Sequence, residues 1–478
     1  MKKYIISAIC LMIAFTSCEV DESLNIDTKS PSTVPASGLF TNGVRNLFDL
    51  MNSTSVNNNV FRLYAQYFAQ TTYPDESQYN QVTRNIGGSI WNTLYRDVLQ
   101  DLKGAKELLA KEASIDATLQ TDLPNKLGII NFVEVYAYSI LVDTFGNIPY
   151  TEALDPLNPT PAYDDAETIY TDLLTRLDDA ISKIGTGAGF SSAQDPIYQG
   201  DVNKWKKAAI SLKLRLAMRI ADSNPALSQQ KAEEAASAGP ILSNNDNFGI
   251  KYLSSAPNTN PLWVALVQSG RNDFVAANTL VDAMNPLNDP RLSSYYEMLS
   301  GIYTGGTYGS ANSPGGASAI SNLMKQPDLV GNIITAAEVN FLLAEAAARS
   351  YTVSNTIEEY YNAGITTSIL EWEKSAAEAT AYLTQASVAY TTAAGDWKQK
   401  IATQKWIAMY NNGFEGWTTW RVFDQPTLNI PAGMTSADIP TRFLYPVSEA
   451  TLNGAQYSSA SSAIGGDTKT NKLFWDIN

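Results

Sequence analysis

The 478-residue sequence has no histidine and only two cysteines, and these shortages exclude whole classes of chemistry. Without histidine, the chain cannot use a Ser-His or Cys-His catalytic pair or a histidine-ligated metal site. The cysteines are Cys10 and Cys18, and Cys10 lies in a segment that we predict to be removed. The mature chain would then form no internal disulfide. Carboxylate chemistry, lysine chemistry and binding alone remain open.

Positive charge is also scarce, since 33 basic residues stand against 48 acidic ones and the formal net charge is −15. This balance argues against nucleic acid as a partner. Hydrophobic residues make up 44% of the chain and charged residues 17%, which is typical of a compact protein with one large or two ordinary domains. Beyond the N-terminus, we find no hydrophobic run that predicts a membrane span.

The N-terminus has the three zones of a signal peptide. Lys2 and Lys3 precede an apolar run over residues 4–15, and the small residues Thr16 and Ser17 come directly before Cys18. We therefore predict a signal peptide over residues 1–17 and lipid attachment at Cys18, which would anchor the chain to a membrane. An ordinary secretory signal with an incidental cysteine is the alternative.

The residues after Cys18 predict a tether over residues 18–40. Acidic residues follow the cysteine at once, and residues 28–37 are rich in Ser, Thr and Pro. Such a composition cannot pack a core and is typical of a solvated linker.

Amphipathic helices separated by short turns dominate residues 41–238 and 333–420. The clearest example begins at Asp201, a predicted N-cap, where residues 205, 209, 212, 216 and 220 form one apolar stripe. Pairing of such helices predicts a mostly α fold with tetratricopeptide-like repeats as a scaffold. Residues 240–330 form a predicted loop-rich insertion, in which residues 300–321 read as an exposed loop, and residues 421–478 form an irregular C-terminal segment.

Residues 141–150 contain the most specific motif of the chain. Asp143, Gly146, Asn147 and Pro149 together predict a demanding turn at the end of an apolar helix. We interpret it as scaffold, with Gly146 adopting a backbone conformation closed to other residues and Pro149 ending the helix.

Several separated motifs resemble the SusD/RagB family of outer-membrane nutrient-binding lipoproteins of Bacteroidetes. They are residues 141–150, 200–205, 212–219, 338–347, 404–408, 413–417 and 439–446, with Glu449 and Asn453. One departure follows Trp417, where members often carry two arginines and a glycine and this chain has Trp420, Arg421 and Val422. The resemblance implies a single domain over residues 41–478, with tetratricopeptide-like units supporting a ligand-binding half.

The resemblance also implies a function and a partner. We expect a cell-surface lipoprotein on the outside of the outer membrane, which captures an oligosaccharide and delivers it to a SusC-like TonB-dependent barrel. The acidic residues after Cys18 resemble the surface-export signal of such lipoproteins. No cofactor is expected. Loop carboxylates could hold structural calcium, but the chain has no EF-hand spacing.

Sugar binding requires aromatic rings and polar side chains on the same loops, because a pyranose has an apolar face and hydroxyl edges. Two stretches meet this requirement, and the resemblance places ligand contacts in the first. The candidates are Tyr73, Asp75, Tyr79, Arg84, Trp91 and Asn92 in the first stretch, and Trp263, Tyr296, Tyr303 and Tyr308 in the second. Helical spacing favours core packing for Trp91, whereas glycines flanking Tyr303 and Tyr308 favour these two as stacking platforms.

Two other functions stay open. A glycoside hydrolase needs only two carboxylates, and Glu338 and Glu345 share one helix face. Their apolar surroundings favour burial with a structural partner such as Lys213 or Arg215. The second alternative is a tetratricopeptide-type scaffold or lid that binds proteins or peptides.

Overall fold

The computed structural model describes residues 34–185 and 187–477. The predicted signal peptide, Cys18 and most of the predicted tether therefore lie outside the described residues. The first helix, α1 (Ala36–Asn52), begins within the last residues of the predicted tether. Its Ala36, Phe40 and Val44 are all buried, and this stripe at a spacing of four residues outweighs the polar composition before it.

The first helical block has seven further helices. They are α2 (Phe61–Tyr64), α3 (Ile86–Asn92), α4 (Gln100–Ala113), α5 (Ala117–Phe145), α6 (Ala166–Lys183), α7 (Val202–Arg219) and α8 (Pro225–Ala238). A π-helical segment, Thr93–Leu99, joins α3 to α4. Successive helices pack side by side, with α5 on α6, α6 on α7 and α7 on α8. The paired arrangement agrees with the predicted scaffold.

Among the described residues, α5 is the one helix apolar and long enough to cross a membrane, which the sequence analysis did not anticipate. In its most apolar window, 89% of the residues are buried inside the protein. It is therefore the central core helix, packed among its neighbours on all sides. It ends at Gly146, whose φ of 87° lies in the region that favours glycine. We had expected Pro149 to end this helix, but Pro149 lies in a short strand beyond it.

Helix α7 begins as predicted. The Asp201 carboxylate accepts hydrogen bonds from the backbone N–H groups of Asn203 and Lys204. The side chains of Trp205, Leu212 and Leu216 are fully buried. The predicted apolar stripe therefore faces the core.

The loop-rich part consists of short elements. Its helices are α9 (Pro261–Trp263), α10 (Asn278–Met284) and α11 (Leu292–Tyr295), with a π-helical segment at Val264–Gln268. Six short strands occur among the described residues, and two of them lie in this part, β4 (Phe248–Ile250) and β5 (Phe274–Ala276). The others are β1 (Phe68–Gln70), β2 (Ile148–Pro149), β3 (Tyr163–Asp164) and β6 (Gly331–Ile334). They pair antiparallel as β1 with β5, β2 with β3 and β4 with β6.

Residues 300–321 are not the fully exposed loop that we expected. Tyr308, Ala317 and Ile320 are buried. Backbone hydrogen bonds also tie this segment to the strands, since the Gly306 N–H donates to the Ala276 carbonyl at 2.8 Å. The segment is polar in composition, but its backbone hydrogen-bond partners come from elsewhere in the chain.

The second helical block contains α12 (Ala336–Ala348), α13 (Ile357–Glu371), α14 (Ala376–Leu383), α15 (Trp397–Ala408) and α16 (Gly413–Phe423). The C-terminal segment, predicted as irregular, adds two short helices, α17 (Val447–Leu452) and α18 (Gly454–Ala463). Helix α12 packs against both α13 and α15. It begins at Thr335, whose hydroxyl accepts a hydrogen bond from the Glu338 N–H.

A buried cluster of arginines and carboxylates joins the two helical blocks. Arg215 on α7 makes two 2.6 Å hydrogen bonds to Glu338 on α12. One turn along α7, Arg219 donates to Glu415 on α16 at 2.8 Å and lies 3.3 Å from Asp143 on α5. These contacts confirm a structural role for Glu338 with Arg215 as its partner. Glu345 instead pairs with Arg349, and Lys213 pairs with Asp178 and Glu234.

Candidate functional site

The sheet formed by β1 and β5 brings the two predicted sugar-binding stretches together. Gln70 is the register partner of Phe274, and the pairing continues past the strand ends. The Thr71 N–H donates to the Asp273 carbonyl at 2.9 Å, and the Thr71 hydroxyl donates to the Asn272 carbonyl at 2.6 Å. Residues 71–73 therefore lie beside residues 271–273, although about 200 residues separate them in the chain.

Arg84 is held in place by a buried carboxylate. Its Nε forms an ion pair with Glu76, whose side chain is 1% exposed, while that of Arg84 is 36% exposed. Gln70 fixes Glu76 by donating from Nε2 at 2.6 Å, and Ser77 donates in turn to Gln70. Within the described part of the chain, the Arg84 Nη1 and Nη2 groups make no hydrogen bond, so they remain available as donors.

Arg271 is anchored in the same way at the opposite wall. Its Nε donates to Asp273 at 2.6 Å, and its side chain is 60% exposed. The hydrogen bond with Asp273 raises the pKa of Arg271 above its ordinary value, and the nearby Tyr73 adds to this shift. Tyr73 is itself 60% exposed, so its ring faces solvent next to the guanidinium.

These side chains line a cleft of about 690 Å³ and an adjoining recess of about 30 Å³. Tyr73 and Thr72 line the recess, and Arg84, Arg271, Asp273, Val56 and Phe274 line both. The cleft continues along α1 past Arg45 and Asp49, which lie 3.4 Å apart. Burial raises the pKa of the Asp49 carboxyl, against the opposing effect of hydrogen bonding by Tyr252 and of Arg45.

Three predicted ligand contacts have buried rings in this structure. Tyr79, Tyr296 and Tyr308 are 1%, 1% and 2% exposed. The rings of Tyr79 and Tyr308 contact each other, with centroids 6.2 Å apart, and Tyr296 donates from its hydroxyl to the Tyr67 carbonyl at 2.6 Å. Burial raises the pKa of Tyr79 to about 12. None of the three offers an open face to a sugar.

Five other candidates lie outside the cleft. Trp91 is buried against Tyr95 and Phe145, as its helical spacing predicts. Tyr303 and Trp263 are half-buried, Asp75 is half-buried in a turn, and Asn92 is exposed at the end of α3. Of the ten predicted ligand contacts, the cleft therefore contains Tyr73 and Arg84.

Other lining residues were missed. Arg271 and Asp273 fall within the second predicted stretch but were not among the chosen candidates. Phe274 also falls within that stretch, whereas Arg45 and Val56 fall outside both stretches. A signal for Val56 was present, since residues 53–59 read Ser-Thr-Ser-Val-Asn-Asn-Asn, a polar run that predicts a surface loop. No local signal distinguishes Arg45 from any other polar residue of an amphipathic helix.

The arrangement is suited to binding. An exposed tyrosine ring and two guanidinium groups with free outer donors line one recess, together with the apolar side chains of Val56 and Phe274. Rings stack on the apolar faces of sugars, and planar guanidinium groups donate to paired oxygens. Among residues 34–185 and 187–477, no group of three or more potential metal ligands was found.

Comparison with known proteins identifies relatives of the whole chain. Residues 28–446 match a family model for SusD-like proteins described as "Starch-binding associating with outer membrane". A search of curated proteins finds no match.

Solved structures share the fold over almost the entire length. A chitin-binding protein is 26% identical, with a TM-score of 0.81 over 93% of this chain and 100% of the other. A chitin-binding SusD homolog from Flavobacterium johnsoniae is 26% identical, with a TM-score of 0.79 over 93% and 99%. A SusD homolog from Bacteroides uniformis has the same identity and TM-score, over 92% and 99%. These likenesses confirm the predicted mostly helical architecture.

Proposed function

This chain belongs to the SusD-like family, and from that membership and the geometry of the cleft we propose that it binds a glycan between Tyr73, Arg84 and Arg271 at the cell surface. The family and the neighbours are described by what they bind, so the chain is a binding protein and not an enzyme. The single observation that carries the site is the exposed Tyr73 ring in the same recess as two anchored arginines.

Charge balance in the cleft favours a neutral ligand. The lining arginines, Arg45, Arg84 and Arg271, are matched by Asp49, Asp97 and Asp273. Such a wall has no net attraction for a strongly charged chain, but it offers many hydrogen-bond donors and acceptors to hydroxyl groups. The volume of about 690 Å³ is within the range of small-ligand sites.

We propose that the recess selects an N-acetylated sugar, as the description of two neighbours as chitin-binding suggests. Its volume of about 30 Å³ suits a methyl-sized group. The methyl of an acetamido group would pack on Val56 and Phe274, and its carbonyl oxygen would accept from a free Nη group of Arg84 or Arg271.

Isothermal titration calorimetry tests both the position of the glycan site and its preference for N-acetylated sugars. We expect the protein to bind the tetramer of N-acetylglucosamine more tightly than maltotetraose, and Tyr73→Ala to weaken binding at least tenfold, since stacking of this kind is worth about 1.4 kcal/mol or more. Tyr303→Ala is the matched control, because it removes a half-buried tyrosine outside the cleft. The site assignment fails if Tyr303→Ala weakens binding and Tyr73→Ala does not. Binding to peptides alone would overturn the glycan assignment.

We further propose that the bound glycan is delivered to a TonB-dependent barrel, with Cys18 as the lipid anchor on the outer face of the outer membrane. The segment boundaries predicted from the sequence, with a signal peptide over 1–17 and a tether that begins at Cys18, belong to this proposal. Cys18→Ala should leave calorimetric binding unchanged and abolish both membrane retention and glycan uptake. Persistent uptake by that variant would contradict the anchored role.

A further inference from the structure

A second and larger cleft, of about 950 Å³, shares no lining residue with the proposed glycan cleft. It lies where the β4–β6 sheet meets the C-terminal end of helix α13. Most of its polar wall consists of carboxamide side chains, from Gln199, Asn244, Asn245, Asn247, Gln326, Asn332 and Asn411. Its aromatic residues, Tyr198 and Trp372, are 8% and 3% exposed, so neither offers a ring face for stacking.

Glu371 is the unusual residue of this cleft. It is the last residue of α13, where the helix dipole disfavours a negative charge. Its Oε1 accepts a hydrogen bond from Asn332 at 2.8 Å. Within the described part of the chain, no lysine or arginine nitrogen lies within 4.0 Å of either oxygen. Burial raises the pKa of this carboxyl to about 7. A carboxylate without a cationic partner lowers the stability of the fold. Residues that lower stability in this way concentrate at functional sites.

The position of Asn332 depends on a glycine. A Cβ atom at Gly249, its neighbour across the sheet, would lie 2.0 Å from the Asn332 Oδ1. The backbone of Gly249 does not have a positive φ, so the constraint is contact with this amide rather than strain. The glycine lets the amide lie against the strand and direct its N–H toward Glu371.

Other polar atoms of the wall also lack partners. Asn244 Oδ1 and the Trp372 indole N–H are covered and have no hydrogen bond in the described structure. The remaining charged residues that line the cleft are Lys204, Lys251, Asp328 and Glu373. Lys204 is already engaged, since its Nζ donates to the Asn245 carbonyl at 2.6 Å. The second carboxylate oxygen of Glu371, whose side chain is half-buried, is therefore a free acceptor at the wall of this cleft.

We propose that this cleft is a second ligand site, which takes a small hydrogen-bonding molecule that carries a primary ammonium group, with Glu371 as its counter-ion. An ammonium group supplies three donors and one positive charge. A divalent metal ion would require several carboxylates, and no group of three potential ligands was found among the described residues. The lack of an open ring favours recognition by hydrogen bonds over stacking. Lysine side chains and amino sugars both supply this chemistry.

Calorimetry with four probes tests the proposal. They are Nα-acetyl-lysine methylamide and its Nε-acetylated analogue, and glucosamine and N-acetylglucosamine. In the Tyr73→Ala protein, whose glycan cleft is weakened, we expect binding of at least one free amine and at least tenfold weaker binding of its acetylated counterpart. Preference for the lysine probe or for glucosamine identifies the source of the ammonium. If no free amine binds more tightly than its acetylated form, the proposal is wrong.

Glu371→Gln is the decisive variant, because it keeps the shape and the hydrogen bond to Asn332 and removes the charge. We expect it to lose the preference for the free amine and to melt at the same or a higher temperature than the parent protein at pH 8. Glu373→Gln, two residues away and exposed, is the matched control and should keep the preference. Retained amine selectivity in Glu371→Gln would overturn the proposal.

If lysine is the preferred source, pH adds an independent readout. The lysine amine stays protonated from pH 6 to pH 8, whereas a carboxyl with a pKa of about 7 ionises across that interval. Affinity should rise about tenfold in the parent protein and in Glu373→Gln, and stay flat in Glu371→Gln. Tyr73→Ala should leave amine binding unchanged, which separates this site from the glycan cleft. A flat profile in the parent protein would contradict the role of Glu371.

Discussion

Arginine–carboxylate pairs in the buried cluster and in the glycan cleft differ in what the outer nitrogens of the arginines do. In the cluster between the helical blocks, Arg215 donates from Nε and Nη2 to both oxygens of Glu338 and also to the Ile333 carbonyl. Its side chain is 2% exposed. In the glycan cleft, Arg84 and Arg271 each use Nε on one carboxylate and leave the rest of the fork toward solvent.

The difference separates cohesion from recognition. A buried fork must have its partners inside the protein, because an unpaired buried charge is very costly. A half-exposed fork that is fixed at one nitrogen keeps its orientation, so less conformational freedom is lost when a ligand binds. The following changes should act strongly on one set and weakly on the other.

Glu338→Gln should give the largest effect on stability. Removing one charge of a buried, doubly hydrogen-bonded pair leaves Arg215 only Glu415 at 3.6 Å, which Arg219 already shares, and should lower the free energy of unfolding by about 3–5 kcal/mol. Urea denaturation followed by circular dichroism measures the loss. Asp179→Asn is the control, because it removes an exposed pair with Lys183 and should cost no more than about 0.5 kcal/mol. Similar losses of stability in both variants would contradict the distinction between buried structural pairs and exposed pairs.

Acid should destabilise the protein through the buried cluster as the pH falls below 4.5. Burial alone would raise the pKa of Glu415, but Arg219, Arg215 and Lys405 hold it at about 2, below its unfolded value of 4.5. A lowered pKa contributes stability that is complete above pH 4.5 and is lost as the pH falls toward 2. Urea midpoints measured from pH 5 to pH 2.5 should fall, and the fall should be shallower in Glu415→Gln. If the urea midpoints of both proteins fell equally with pH, Glu415 would not be a source of the acid sensitivity.

Arg84→Lys should affect the cleft and spare the core. Lysine keeps the charge beside Glu76 but loses the planar fork, so we expect about tenfold weaker glycan binding, or about 1.4 kcal/mol. The urea midpoint should barely move, because the side chain is partly exposed. A large loss of stability with unchanged affinity would mean that Arg84 belongs with the structural arginines.

Asp273→Asn should have the smallest effect on stability. Its pair with Arg271 is exposed to solvent, so the urea midpoint should stay within experimental error. Glycan affinity should fall modestly, because Arg271 loses the carboxylate that orients it. Calorimetry and denaturation on the same preparation give both values. Unfolding of this variant would show that the rim of the cleft supports the core.

Local patterns predicted the helical framework well. The Asp201 cap, the apolar stripe of α7 and the turn at Gly146 all depend on residues close in sequence. Of the two partners predicted for Glu338 and Glu345, Arg215 does pair with Glu338, because a charged side chain among alanines and leucines needs a buried partner, whereas Lys213 pairs with neither.

The cleft was predicted only in part, for a physical reason. Tyr79 and Tyr308 sit among polar residues and glycines, which suggests exposure, but each ring is covered by the other. Tyr73 has similar neighbours and remains exposed. What separates these tyrosines is the pairing of β1 with β5, whose register cannot be derived from either strand alone.

The β1–β5 ladder also has a consequence for the order of folding. Its partners Phe68 and Ala276 are separated by about 200 residues, so the loop between them must close before the cleft has two walls. Contacts of such long range form slowly, whereas neighbouring helices such as α5 and α6 can pair early. During synthesis, the chain would already carry Tyr73 and Arg84 well before Arg271 emerged. Recognition would thus be among the last properties that the growing chain acquires.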